Sequence, residues 1–282
     1  MKTLEGAAFS LKAYIAGLIK PEKDQRELRL NQCTDILKIL ACAAMLLDHM
    51  GKMIFPEAYN FSVSGKWAYL FPSGNILRII GRLAMPMFVY GVAVGSAYTK
   101  NTLKYVLRLL LVGVLVHPLY MAAMGHVPIG GFDWAKNFYR LDLIFEHYYT
   151  AKLNIFFSLA LGAAILSCVR AKAYVPMVLF CLAAWCVQGK LDYGIKGIML
   201  MALFYALFDR PLASFLAVFL FMWYWGMPNF FTSGNARSTS QLYAVYSLIL
   251  IYLPVKKRIK LPKALFYGFY PAHLLLIYLL QL

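Results

Sequence analysis

Residues 37–53 read LKILACAAMLLDHMGKM, an apolar run that carries Lys38, Asp48 and His49 inside or beside it. A bilayer core needs ~20 mostly apolar residues for one helical crossing, and the run with its flanks, 36–55, meets that length. A charge at mid-bilayer costs roughly 2.5–3.5 kcal/mol on insertion scales, so its ionisable side chains are the informative positions. The eleven-residue step from Lys38 to His49 is about three helical turns and about 16 Å, which puts both on one face. Asp48 is rotated by about 100° from His49 and stands one turn from Lys52, its expected local partner.

Working outward, the same reading recurs along the chain. Hydrophobic residues make up 62% of the 282 positions and charged residues 14%, against about 25% charged in soluble domains. The expected fold is all-α, a polytopic integral membrane bundle of about nine transmembrane helices. The spans fall near 36–55, 76–99, 103–124, 151–170, 173–188, 191–208, 211–227, 240–255 and 264–281. Residues 1–30 read as a cytoplasmic amphipathic segment with a polar linker, or as a mobile tail, ahead of a membrane domain over 31–282. No secretory signal pattern opens the chain, so the first span is expected to direct insertion. The connections 56–75 and 125–150 are rich in aromatic, Gly and Pro residues and are expected to cap a cavity.

Lys and Arg outnumber Asp and Glu by 28 to 12. In a membrane protein this excess marks loops facing an anionic surface, and no nucleic acid is implied. With the N-terminus inside, sixteen basic residues face the cytoplasm and seven the outside, including Lys66 and Arg237. That favours a multi-pass protein of a bacterial inner membrane with a cytoplasmic N-terminus. Four of the five cysteines sit in apolar runs without metal-ligand spacing, which reads as small buried thiols.

Further polar groups gather toward the outer half. Arg78 and Arg82 are four apart, hence on one helix face, with Arg82 near the depth of His49, and Gly81 between them permits close approach by a neighbour. Asp192 and Lys196 are also four apart, as an ion pair or as site residues. Asn154 opens the fourth span, and His273 follows Pro271 in the last, as a kink histidine or a site residue. His117 precedes Pro118 in the third span. The five histidines show no ligand spacing, so no metal is expected.

LKILACAAMLLDHMGKM, LRIIGRLAMPMFVYGVAVGSAYTKN, KLNIFFSLALG, DYGIKGIML and FYPAHLLLIYLL, in this order over most of the chain, resemble the TraX family. The first block is also similar to the wider class of transmembrane acyltransferases, where a basic residue, ten intervening residues and a histidine mark the first helix. Lys38 stands here where arginine is more usual. The resemblance implies acetylation of the N-terminal amine of conjugative pilins, with acetyl-CoA as donor and a peptide or glycan as acceptor in related enzymes. Its chemistry needs a base, an oxyanion site and a positioned thioester. His49 is expected as general base, Arg82 and Asp48 as its catalytic companions, and Arg78, Asn154, Lys196 and His273 as substrate contacts. Lys38, Lys104 and Arg108 would meet the coenzyme's phosphates at the inner face. The competing readings are a transporter or flippase with an ionisable substrate path, and a nonenzymatic scaffold.

Overall fold

The computed structural model describes residues 11–20, 22, 24–63, 72–127, 133–137, 139–149, 152–227, 239–253, 255–256 and 259–282. Residues 1–10 of the amphipathic segment, parts of both capping connections, and Lys2, Lys23, Lys66, Arg237, Lys257 and Arg258 from the charge count, lie outside the described residues. The chain is mostly helical: α1 Leu11–Ile19, α2 Thr34–Met53, α3 Ile76–Gly81, α4 Ala84–Tyr98, α5 Thr102–Ala123, α6 Trp134–Asn137, α7 Leu141–Tyr149, α8 Ile155–Arg170, α9 Tyr174–Val187, α10 Gly194–Leu207, α11 Pro211–Gly226, α12 Ser247–Ile251 and α13 Lys263–Leu279. A 3-10 segment, Ser240–Tyr246, leads into α12, and β1 (Asn60–Phe61) pairs antiparallel with β2 (Gly74–Asn75).

Two helical stretches, Ile76–Tyr98 and Thr102–Ala123, are long and apolar enough to cross a membrane by length and composition. The others are shorter apolar helices of 10–17 residues, or carry charge as α2 does. The expected second span is divided into α3 and α4 by a turn at Arg82–Leu83, where Arg82 N donates to both Arg78 O (3.1 Å) and Ile79 O (3.2 Å). The expected eighth span, 240–255, is a 3-10 segment followed by a five-residue α-helix.

The surface explains why the composition is so apolar. Leu103, Leu107, Leu111 and Leu115 form an exposed stripe along α5, with Leu115 at 69% exposure. On α9, Val175, Leu179, Leu182 and Trp185 are exposed, and Ala184 is the buried residue of that helix. Such contiguous apolar surface marks contact with lipid or protein rather than water. Cys181 and Cys186 lie exposed on this helix, unlike buried Cys33, Cys42 and Cys168, because α9 packs at the periphery.

One end of the bundle is tied by an extended strap. Asp24 N donates to Ala97 O (3.3 Å), Arg29 N to Phe208 O (3.2 Å), Asn31 N to Ile251 O (3.0 Å) and Gln32 N to Val255 O (3.0 Å). These carbonyls lie at or beyond the C-terminal ends of α4, α10 and α12, where helices lack their own donors. Arg170, ending α8, donates to Glu22 O, Ser96 O and Thr99 O in the same layer. Leu28 and Leu30 join the core at 4% and 3% exposure, so the polar linker expected up to residue 30 is in part a packed strap.

At the opposite end Asn75 caps α3 through Leu77 N and Arg78 N, while its Nδ2 donates to Phe55 O and Ala58 O, both at 2.7 Å. Pro118 inside α5 cannot donate to Val114 O, and the Tyr149 hydroxyl takes that carbonyl at 2.7 Å. Asn154 caps α8 through Phe156 N and donates to Gly113 O at 2.8 Å. Asn154→Ala removes a helix cap and a second buried hydrogen bond, to Gly113 O, so it is expected to destabilise the fold by about 2 kcal/mol, read as a lower melting temperature in detergent.

Candidate active site

Helices α2 and α13 pack together and bring two histidines 224 residues apart into contact. His49 Nδ1 lies 3.0 Å from His273 Nε2, the rings stacked with centroids 5.1 Å apart and planes at 20°. His273 Nδ1 lies 3.0 Å from Phe269 O. A carbonyl only accepts, so Nδ1 of His273 carries the hydrogen and its Nε2, in the neutral ring, is an acceptor. His49 Nδ1 must then be the donor, which leaves His49 Nε2 with a bare lone pair. Phe269 and Tyr270 pack on the His273 ring, which is 3% exposed. Both ring nitrogens of His273 are thus engaged within the protein, one on Phe269 O and one on His49, and His273 lines neither of the two cavities beside the pair.

Beside His49 on α2, Asp48 Oδ1 lies 3.9 Å from both Arg78 Nε and Arg82 Nε. The expected common face of the two arginines is thus realised on α3 and its C-cap, and both turn to one carboxylate. The expected Asp48–Lys52 pair does not form among the described residues, because two guanidinium groups from the neighbouring helix flank the carboxylate first. Gly81 makes the approach possible: a Cβ there would collide with the Cα and side chain of Asp48. At 3.9 Å these are ion pairs without hydrogen bonds, and Asp48 Oδ1, Arg78 Nε and Arg82 Nε are buried atoms lacking such a partner.

Two adjoining cavities meet this centre. The smaller, about 30 Å³, is lined by Asp48, His49, Tyr120, Asp192 and Tyr193 among others. The larger, about 380 Å³, is lined by Lys38, Cys42, Tyr105, Arg108, Phe266 and Tyr267 among others. Met45, Phe88, Ile155 and Tyr270 belong to both walls. The larger cavity thus runs from the strap end, where Lys38 and Arg108 sit near the starts of α2 and α5, toward the histidine pair. Lys38 lines the larger cavity and His49 the smaller, about three turns apart along one face of α2.

The remaining expected site residues divide. Lys38 Nζ is engaged by Asp35 Oδ1 at 2.8 Å and lies over the Phe266 ring. Lys104 is exposed and absent from the cavity lining: it shares a helix face with Arg108 but stands in the first turn of α5, one turn further out. Asn154 has 0% exposure and spends its side chain on the cap and Gly113, which leaves it no free group for substrate. Lys196 faces Tyr224 and Trp225 at 5.8 and 5.9 Å. No Asp192–Lys196 ion pair forms among the described residues: Gly194, at φ +55°, starts α10 after Asp192, so helical four-residue spacing does not apply. Among the described residues no group of three or more His, Cys, Asp or Glu is arranged to hold a metal ion. His117 lies buried among Tyr120, Tyr149 and Phe157 and lines neither cavity.

Fold and site together define a membrane-associated helical protein with a histidine pair and an arginine-flanked carboxylate at the head of an internal cavity. The chain belongs to the TraX family, whose model, described as TraX protein, matches residues 33–281. It is 29% identical over 141 residues to a probable fimbrial assembly protein, FimC, of Dichelobacter nodosus, covering 50% of this chain and 48% of that protein. It is 41% identical over 56 residues to an uncharacterized protein of Rickettsia prowazekii (strain Madrid E), covering 20% and 16% respectively. The matches thus span about half the length of the first relative and less of the second. No solved structure matches the chain.

Proposed function

We propose that this protein is a membrane-embedded acyltransferase that moves an acetyl or other short acyl group from acetyl-CoA to an amine or hydroxyl acceptor. The observation that carries the reading is the relay from Phe269 O through His273 to His49, which leaves Nε2 of His49 unprotonated on a ring that lines the small cavity, adjoining a larger one with Lys38 and Arg108 in its wall. His49 Nε2 takes the proton of the attacking acceptor and returns it to the departing sulfur. Arg82, held with Arg78 against Asp48, faces the negative charge that gathers on the thioester oxygen. Arg108, with Lys38, meets the phosphates of the donor at the strap end, where both line the larger cavity. Acetyl-CoA itself supplies the activated thioester.

The apolar exterior, with helix ends meeting in two opposite layers, supports about nine spans in a bacterial inner membrane, the strap and N-terminus on the cytoplasmic side where coenzyme A resides. Residues 31–282 with the strap would form the membrane unit. TraX membership and a relative named for fimbrial assembly support a pilin-like peptide as acceptor, bound from the opposite end.

Release of free CoA from acetyl-CoA by the purified protein in nanodiscs, in the presence of an amine acceptor, tests this. Arg108→Ala is expected to raise the KM for acetyl-CoA roughly tenfold with little change in kcat, as loss of one charged contact implies. Substrate movement into vesicles without CoA release would contradict the reading and favour transport.

A further inference from the structure

Resting on acyl transfer at His49, we infer that Asp192 is the acceptor-binding acid of this site: it holds the ammonium form of an amine and removes its first proton, so that the site favours amines over hydroxyls.

The sequence pattern alone reads Asp192 and Lys196 as a helical ion pair or as site residues. The left-handed Gly194 instead releases it from α10 and turns it to the small cavity that His49 and Asp48 also line. Of the two carboxylates there, Asp48 is held between Arg78 and Arg82, whereas no cation lies within 4 Å of Asp192 among the described residues. Asp48 from α2, Tyr120 from α5, the neighbouring Tyr193 and Tyr270 from α13 line the same cavity, and Lys52, Arg82 and Lys152 are the charged groups near enough to act on it electrostatically. The cations act on it from beyond ion-pair distance. Asp192 also keeps accessible surface, on the end of the bundle opposite the strap. A carboxylate without a close cation, open to a cavity that contains a base, is a receptor for an incoming cation.

Proton counting gives the acid its role. An acceptor ammonium must lose two protons on becoming an amide, whereas a hydroxyl loses one on becoming an ester. Asp192 takes the first proton and uncovers the nitrogen lone pair. The nitrogen attacks the thioester carbon, His49 Nε2 takes the second proton, the carbon–sulfur bond breaks, and that proton leaves on the CoA thiol. Asp192 releases its proton to the outer side, so the sum is ammonium plus thioester giving amide, thiol and one proton.

The test compares two acceptors at neutral pH. Alaninamide carries a largely protonated α-amine, whereas hydroxylamine is an amine already uncharged at that pH and needs no first deprotonation. CoA release is measured with each for the wild type, Asp192→Asn and Asp192→Glu. Asp192→Asn is expected to lower the alaninamide-to-hydroxylamine ratio of kcat/KM roughly 10- to 100-fold, and Asp192→Glu to restore most of it. Equal loss with both acceptors, or an unchanged ratio, would overturn the role of Asp192 while leaving acyl transfer at His49 intact. A wild type that releases no CoA with either amine would overturn both.

Discussion

His49→Gln is expected to lower CoA release about 10²- to 10⁴-fold, the usual contribution of a positioned general base. Glutamine offers an amide hydrogen to His273 Nε2 but no proton acceptor of imidazole basicity, so the protein should extract and melt like the wild type. His49→Ala is the harsher variant, since it also orphans His273 Nε2 at the cost of about 1–3 kcal/mol. His273→Phe tests the relay from the other side. It keeps an aromatic ring against Phe269 yet removes the acceptor that fixes the His49 tautomer. An orphaned His49 Nδ1 donor worth about 1–3 kcal/mol predicts a loss of roughly 5- to 150-fold. Full activity in His273→Phe would show that the pair is packing and nothing more.

Asp48→Ala is expected to be the most destabilising single change at the site, at about 3–5 kcal/mol, because it leaves Arg78 and Arg82 facing each other without a counter-ion. The measurement is the melting temperature of the detergent-solubilised variant. Arg82→Met in the Asp48→Ala background should recover part of the loss, a coupling that independent sites would not give. A variant that melts like the wild type would mean that the arginines already find other partners.

The sequence carried much of this site because membrane burial makes charged residues conspicuous. Lys38, Asp48, His49, Arg78 and Arg82 stand out from apolar runs, and helical spacing alone puts the two arginines on one face. Their shared carboxylate was misassigned, since within α2 the nearest candidate is Lys52, and the packing of α3 that decides otherwise depends on the bare Cα of Gly81. His273 was visible as an intramembrane histidine, and its comparable depth on a helix parallel to α2 was a usable signal for its role. Nothing local to either helix says that the two stack. Asp192 was hidden by a helical spacing that Gly194 breaks, and Asn154 misled because a cap and a ligand use the same amide. The helix lengths were harder still. Packed helices of 14 residues, such as α9 and α10, do not reach the ~20-residue rule that the apolar runs suggested.

The central claim is that His49 Nε2 is a free base at the head of a donor passage. A cryo-EM structure with an oxygen-ester analogue of acetyl-CoA, which cannot release a thiol, tests it most directly. The prediction is density entering at Lys38 and Arg108, passing Met45 and Phe88, and ending with the acyl group at His49 within about one hydrogen bond or one bridging water of Nε2. Density bound at the opposite end, beside Lys52 and Lys152, with the cavity between α2, α5 and α13 unfilled, would contradict it.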